Sequence, residues 1–331
     1  MKKLKNIFAI LFIPILLVGI FLYSSISNQQ KIFLEKERNI NKSISLVKKI
    51  NLQDKYDLLK VVRDSLFLVS WKKENKGKIY YYDETNNKVV NYLSLGNNTL
   101  ISDYYEGSKD ALLILNKSEQ KLIEISHAIP QNKSINLNKP ISRGVRVKDN
   151  LYFTAYGSDV VMKFYNLKLN NNQSFEIKNN IFNKDEKNTG VIYDGVLKYN
   201  GNNIILTPYA KNEVLFFDTN FKFKSKMKLI NKDVEFKFTK MENGDVLPDP
   251  TNLYPNIYSD LDAEKLYILT NESGIWDSKD KYYIDVYDIK NKKYLFTYFI
   301  DDPSIFPREI IVLENLIYIL GKDKINIYEI K

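Results

Sequence analysis

The chain has 331 residues, a formal net charge of +9, no cysteine and one histidine, His127. These counts exclude disulfides, thiolate metal sites and a cysteine nucleophile, and they argue against a His-rich zinc site or a Ser-His-Asp triad. The length suits two ordinary domains or one large all-β domain. Tyr and Phe, with 24 and 18 residues, dominate the aromatic side chains. Because these residues favour half-buried strands, the composition predicts an all-β protein.

The positive charge is spread along the chain. Lys2, Lys3 and Lys5 precede an apolar segment, and the remaining basic residues lie in Lys- and Asn-rich stretches without a basic block. Proteins that bind nucleic acids usually concentrate Lys and Arg on one element. We therefore expect no nucleic-acid partner, and we interpret His127, at the predicted end of a strand, as an ordinary edge residue.

The N-terminal segment, residues 1–27, indicates the compartment. Its apolar run from Ile7 to Tyr23 is near the lower length limit for a membrane span and longer than the core of a typical signal peptide. The lysines before the run favour a cytoplasmic N-terminus. The sequence thus predicts a transmembrane anchor, or uncleaved signal, that contacts the membrane through residues 7–23. The alternative is a signal peptide cleaved after Ser25-Ile26-Ser27.

This topology defines a single-pass membrane protein whose remaining chain is extracytoplasmic, in the periplasm or on the cell surface. Residues 28–43 are polar and charged and contain no turn-forming pair. We interpret them as a helical extension or spacer that holds the following domain, residues 44–331, off the membrane.

A pattern of paired apolar runs recurs along residues 44–331. Each copy has an apolar run, a short polar gap and a second apolar run, and the pairs begin at the following segments: LFLVSW (66–71), ALLILN (111–116), LYFTAY (151–156), IILTPY (204–209), LYILTN (266–271) and LIYILG (316–321). Weaker strands flank each pair. Four short strands at a period of about 40 to 50 residues are typical of one propeller blade. The second run ends at an acidic or amide residue in four copies, where Asx side chains bond to turns: Asp83, Asn166, Asp218 and Asp288.

The six copies predict a six-bladed β-propeller closed by an N-terminal strand. The sixth copy ends at Ile330-Lys331, where its fourth strand should begin, and ISLVKKINL (44–52) is an unassigned strand of suitable length. Pairing these segments would close the ring and leave only short, protected strand edges. A β-sandwich or a pair of sandwiches is one alternative, and the long interval between Asp218 and Asp288 leaves a five- or seven-bladed ring as another.

One face of such a ring collects unusual residues, because the first strands begin there and the second strands end there. Arg143 and Arg308 open predicted innermost strands, although arginine is scarce in this chain. Arginine offers a planar fork for carboxylate or phosphate groups. The sequence therefore predicts a site for an anionic or sugar-like ligand at this mouth, formed by six residues: Arg143, Asp194, Asn256, Arg308, Trp276 and Tyr209. The alternative is that Arg and Asp only pair with one another across the channel.

The segments NNIILTPYAKNEVLFFDTNFKF (202–223) and NLYFTAYGSDVVMKFYNL (150–167) resemble the six-bladed propellers of bacterial membrane-associated proteins, described as TolB-like or NHL-like. This resemblance implies an extracytoplasmic binding or scaffolding module for a partner protein or small ligand. We expect no cofactor for such a module. Some propellers of this kind are calcium-dependent hydrolases. The alternative function is therefore a lactonase or esterase whose calcium would lie at the channel mouth, with four candidate ligands: Asp57, Asp103, Asp194 and Asn256.

Overall fold

The structure is a computed structural model that describes residues 37–331, apart from gaps at 63–64, 71–76, 84, 96–100, 107–110, 117–118, 127–132, 158–159, 183–185, 233–234, 241–245, 250–251, 253, 263 and 273–280. The predicted membrane segment 7–23, His127 and Trp276 lie outside the described residues. Within the described ranges, no helix has the length and apolar character needed to cross a membrane.

The strands form six four-stranded antiparallel sheets that follow one another in sequence, as a six-bladed propeller requires. The first strand, β1 (Ile44–Asn51), precedes them. Blade 1 contains β2 (Leu58–Val62), β3 (Ser65–Val69), β4 (Lys78–Asp83) and β5 (Lys88–Ser94). Blade 2 contains β6 (Ile101–Glu106), β7 (Ala111–Asn116), β8 (Lys121–Ser126) and β9 (Lys133–Asn136). Blade 3 contains β10 (Arg143–Val147), β11 (Asn150–Ala155), β12 (Lys163–Lys168) and β13 (Gln173–Ile177).

The second half of the ring repeats this order after a short helix, α1 (Thr189–Ile192). Blade 4 contains β14 (Gly195–Tyr199), β15 (Ile204–Pro208), β16 (Glu213–Phe217) and β17 (Phe223–Lys228). A separate hairpin follows, with β18 (Phe238–Lys240) and β19 (Val246–Pro248). Blade 5 contains β20 (Asn256–Leu261), β21 (Lys265–Glu272), β22 (Lys281–Asp288) and β23 (Lys293–Ile300), and blade 6 begins with β24 (Glu309–Leu313), β25 (Leu316–Leu320) and β26 (Lys324–Ile330). The hairpin therefore explains the long interval before Asp288, and the six-bladed prediction is confirmed.

The N-terminal strand closes the ring. β1 pairs antiparallel with β26, from Ile44 opposite Ile330 to Asn51 opposite Lys324, and becomes the outer strand of blade 6. A further backbone hydrogen bond, 2.8 Å long, joins Leu52 to Asp323 after the strand ends. The predicted closure is confirmed, and β26 has no open edge.

The middle strands are continuous apolar runs because neighbouring blades cover both of their faces. In β15, Ile204 and Leu206 pack in a cluster with Phe164 of blade 3, whereas Ile205 packs with Leu266 and Ile268 of blade 5. A strand that is buried on both faces does not alternate between apolar and polar residues. The paired apolar runs of the sequence thus record blade-to-blade packing.

Acidic residues close several hairpins, as predicted. Asp218 accepts hydrogen bonds from the backbone of Asn220 (2.9 Å) and Lys222 (2.8 Å). Hydrogen bonds from the Asn291 backbone and side chain lower the pKa of Asp288 below its usual value. Asn166 is an exception, because β12 continues to Lys168 and Asn166 lies within the strand. Its prediction as a strand end was wrong.

Arg38 and Asn39, within the polar segment 28–43, are docked on blade 5. Arg38 has a side chain that is only 5% exposed and forms an ion pair with the fully buried Asp285, with Nε 3.1 Å from Oδ1. The Asn39 carbonyl oxygen accepts a 2.9 Å hydrogen bond from the Thr297 backbone on β23, and the Asn39 backbone donates to the Tyr294 hydroxyl. Residues 38 and 39 therefore contact the propeller, whereas a spacer would stay clear of it.

Candidate functional site: the central channel

The inner strands of the blades surround a cavity of about 680 Å³ on the propeller axis. Its described lining comes from the inner strands β2, β10, β14, β20 and β24, from the residues just before β2 and β24, and from Tyr209, which follows β15. A cavity of this volume falls in the range of small-molecule sites. Charged side chains in the wall are the cations Lys60, Arg143, Arg146, Lys198 and Arg308 and the acids Asp57, Asp260 and Glu309.

Three of the predicted site residues meet at the mouth, at the boundary of blades 3 and 4. The Arg143 guanidinium donates two parallel hydrogen bonds to Asp194, from Nε (2.8 Å) and Nη2 (2.9 Å). It also lies 5.5 Å from the ring centre of Tyr209. Gly195, which follows Asp194, allows the start of β14 to lie close to β15 of the same blade, because a Cβ there would lie 2.1 Å from the Thr207 carbonyl oxygen. The grouping arises because β10 and β14 begin on the same face.

Arg308 lies at the boundary of blades 6 and 1. Its Nη1 donates to Asp57 Oδ1 (2.7 Å) and to the Tyr56 carbonyl oxygen (3.3 Å). Among the residues that the structure describes, Nε and Nη2 of this guanidinium have no hydrogen-bond acceptor. The next residue, Glu309, accepts a hydrogen bond from the Leu59 backbone across the same boundary. Arg308 is therefore partly paired, and two of its nitrogens remain available to a ligand.

Asn256 has a different environment from the other predicted site residues. It opens β20, but its side chain is buried and donates to the carbonyl oxygens of Pro208 (2.8 Å) and Lys211 (2.9 Å). Its Oδ1 accepts from Asn231 (3.2 Å). These contacts hold two chain segments together behind Tyr209. Trp276, the sixth predicted residue, is not among the described residues.

The candidate calcium ligands do not converge in the part of the chain that the structure describes. Asp57 pairs with Arg308 and Asp194 with Arg143, while the Asn256 amide is bonded to the backbone of Pro208 and Lys211. The side chain of Asp103 falls outside the described residues. No group of three or more His, Asp or Glu side chains in the described ranges could hold a metal ion.

A second level of charge lies inside the channel, and sequence reasoning missed its Lys198–Asp260 pair. Lys198 Nζ is 2.9 Å from Asp260 Oδ1 and 5.5 Å from the Tyr258 ring centre, and Asp260 also accepts from the Val312 backbone (2.7 Å). Arg146 pairs with Glu124 of blade 2 at 3.2 Å. The sequence feature that could have indicated these residues is a basic residue in the third or fourth position of an inner strand.

Lys60 differs from the other channel cations. It occupies the third position of β2 and lines the cavity. Unlike the side chains of Arg143, Arg146, Lys198 and Arg308, the Lys60 side chain forms no ion pair or hydrogen bond with any described residue. A cation in a partly enclosed wall has lost some hydration without gaining a partner. An anion in the cavity would supply the missing counter-charge.

The fold defines the class of protein as a six-bladed β-propeller, and the comparisons agree. By sequence, the chain matches no protein family and no curated protein. Similar solved structures include a streptogramin B lyase (12% identity, TM-score 0.52, covering 86% of this chain and 97% of that chain). Virginiamycin B lyase from Staphylococcus aureus is comparable (13%, 0.51, 85% and 98%). A member of the DUF4221 family from Bacteroides vulgatus is also similar (11%, 0.57, 89% and 99%).

These identities are low, so the likeness concerns the fold alone. Another of the similar structures is a catalytically inactive histidine-to-alanine variant of virginiamycin B lyase, bound to quinupristin. The single histidine of this chain, His127, lies outside the described residues. The relation to TolB-like or NHL-like propellers stays a prediction.

Proposed function

We propose that the protein is a ligand-binding propeller whose central channel takes an anionic small molecule, such as a phosphate or carboxylate. The observation that carries this proposal is a cavity of about 680 Å³ that contains Lys60, which has no described partner, and Arg308, which has two uncommitted nitrogens. Arg can bind an oxyanion through two parallel hydrogen bonds, and Lys adds a point charge. Lys60 lies on β2, the inner strand of blade 1, and Arg308 directly precedes β24, the inner strand of blade 6.

The test is calorimetric titration of the full-length protein in detergent with inorganic phosphate and with citrate, at low salt. Removing one charged hydrogen bond costs about 1.5–3 kcal/mol. Lys60→Met and Arg308→Gln should therefore each lower the affinity for one of these anions by roughly ten- to 100-fold. Lys292→Ala is the control, because Lys292 follows β22 in the turn on the opposite face. If wild-type protein binds neither anion, or if both variants bind like wild type, the channel is not an anion site.

We also propose that residues 7–23 anchor this propeller on the outside of the cytoplasmic membrane. The support is the apolar run preceded by Lys2, Lys3 and Lys5. The full-length protein should then remain in the membrane fraction at high salt. A mature protein that begins near Asn28 and is recovered in the soluble fraction would instead show a cleaved signal.

A further inference from the structure

The insertion between blades 4 and 5 rises from a rigid stem next to Tyr209. Three buried asparagines build the stem: Asn212 Nδ2 donates to the Asn231 carbonyl oxygen (3.2 Å), and Asn231 Nδ2 donates to Asn256 Oδ1 (3.2 Å). The Asn256 backbone donates to the Tyr209 carbonyl oxygen (3.2 Å). Because a buried amide is costly unless it is hydrogen-bonded, this network fixes where the insertion begins and ends. Both ends lie at the channel mouth.

The insertion itself carries a hairpin, which we call the arm and define by β18, β19 and the flanking described residues 235–237, 249, 252 and 254. The Asn252 side chain accepts from the Lys237 backbone and donates to its carbonyl oxygen, both at 2.7 Å, and thereby imitates a strand pair. The Asp249 backbone donates to the same carbonyl oxygen (3.0 Å). An isolated two-stranded hairpin is marginally stable in water, so these clamps and the stem contribute to its order.

Aromatic side chains cluster on the arm. The Phe236 ring lies 5.2 Å from that of Phe238 and 5.6 Å from that of Tyr254. Tyr254 is 46% exposed and Leu247 is 49% exposed. Partial burial and, next, the nearby Asp194 carboxylate raise the pKa of Tyr254. Tyr254 lies two residues before Asn256, whose backbone bonds to Tyr209, so the arm presents apolar surface next to the channel mouth.

We propose that Phe236, Leu247 and Tyr254 bind the apolar part of the ligand, so that the ligand class is a flat or aryl group that carries a phosphate or carboxylate. This inference rests on the proposed anion site. The channel wall supplies cations for the charged group, whereas the arm supplies exposed aromatic surface beside the mouth. Small-molecule sites generally combine apolar surface with a few placed polar groups, and here the two lie on separate elements.

The test compares 1-naphthyl phosphate with inorganic phosphate on the full-length protein in detergent, because the probes differ by the aryl group. Wild type should bind 1-naphthyl phosphate more tightly. Tyr254→Ala and Leu247→Ser should each lower the affinity for 1-naphthyl phosphate by about five- to tenfold, which is the effect of one lost aromatic or apolar contact. Neither substitution should change the affinity for inorganic phosphate. Tyr254→Phe keeps the ring and should keep the affinity.

A matched control is Phe175→Ala on β13, which removes an exposed aromatic ring far from the arm along the chain. Lys60→Met should weaken both probes, since it acts on the shared anionic group. If phosphate binds but the naphthyl group adds no affinity, or if Tyr254→Ala weakens both probes equally, the role of the arm is refuted while the anion site stands. If neither probe binds wild type, the anion site and the inference built on it both fail.

Discussion

Two Arg–Asp pairs of the propeller have similar chemistry and different surroundings. In blade 5, Arg38 Nε and Nη2 lie 3.1 and 3.3 Å from the Asp285 carboxylate, and the two side chains are 5% and 0% exposed. At the channel mouth, Arg143 Nε and Nη2 lie 2.8 and 2.9 Å from the Asp194 carboxylate, and both side chains are 30% exposed. The shorter contacts belong to the more exposed pair.

This difference in exposure indicates that burial, more than contact length, distinguishes a structural ion pair from one that can respond to a ligand. Asp285 also accepts hydrogen bonds from Thr297 Oγ1 (2.6 Å) and Thr270 Oγ1 (3.3 Å), and the Arg38 guanidinium lies 4.2 Å from the Tyr283 ring centre. Water cannot replace these contacts when one partner is lost. At the mouth, water can hydrate either member of the Arg143–Asp194 pair, and a ligand can bind to either member.

The largest effect is therefore expected at the buried pair. Arg38→Ala should lower the free energy of unfolding by about 3–5 kcal/mol, because it leaves the Asp285 carboxylate buried without its counter-charge. Urea denaturation followed by circular dichroism measures this loss. The double variant Arg38→Ala with Asp285→Ala should lose less than Arg38→Ala alone, since no charge is then stranded. A loss below about 1 kcal/mol for Arg38→Ala, as for a surface pair, would contradict the structural role.

The second-largest effect on stability is expected at Asp302. It is tested through the pH dependence of unfolding. Asp302 accepts from Lys324 Nζ (2.9 Å), Asn326 Nδ2 (3.0 Å) and Ser304 Oγ (2.6 Å). Burial alone raises the pKa of Asp302, but hydrogen bonds from Ser304, Lys324 and Asn326 and the Lys324 charge together lower it well below its usual range.

Because the pKa of Asp302 is lower in the folded chain than the unfolded value of about 3.9, its ionised form stabilises the fold above that pH. This stability should be lost as the pH falls below about 4 toward the folded pKa. Asp302→Asn should remove part of this acid dependence, in addition to lowering stability at neutral pH by about 1.5–3 kcal/mol. Urea denaturation of both proteins at pH 7, 4 and 3 measures the two slopes. Parallel slopes would mean that other carboxylates cause the acid sensitivity.

Arg308 and Asp57 form an intermediate case, in which Arg308 is about as exposed as Arg143 while Asp57 is mostly buried. Arg308→Ala should lower the free energy of unfolding by about 1–2 kcal/mol, because Asp57 loses a charged hydrogen bond but borders the channel cavity, where water can reach it. Thermal melting beside phosphate titration separates the two effects. If binding falls only in proportion to the folded fraction, Arg308 is structural and the anion site loses its best residue.

The blade pattern could be predicted because packing between blades buries both faces of the middle strands, so each blade appears in sequence as two dense apolar runs. Closure by residues 44–51 followed from the same pattern. The docking of Arg38 could not be predicted, since its partner Asp285 lies in a distant apolar run and residues around Arg38 are polar. A lone acid within such a run was the one indication that a buried cation was required.

The mouth was predictable to the extent that strand starts share a face, which brought Arg143, Asp194 and Tyr209 together. Lys60 and Lys198 were missed, because a sequence does not reveal which residues of an inner strand border the channel. Asn256 was assigned to the mouth for its position at a strand start, but its amide is used by the stem. Strand order was therefore easier to predict than side-chain direction.

The smallest effect on stability is expected for Arg143→Ala. The Asp194 carboxylate is 30% exposed and can be rehydrated, so the free energy of unfolding should fall by less than about 1 kcal/mol. Anion binding should respond more strongly, because the substitution removes a cation and also uncovers a carboxylate that repels phosphate at the mouth. We expect about three- to tenfold weaker phosphate binding at low salt and a smaller difference at high salt, where charges are screened. Adding Asp194→Asn should restore most of the affinity by removing the repulsive charge. If the double variant binds as weakly as Arg143→Ala, then Arg143 acts through direct contact with the anion, and its pairing with Asp194 does not regulate the charge of the mouth.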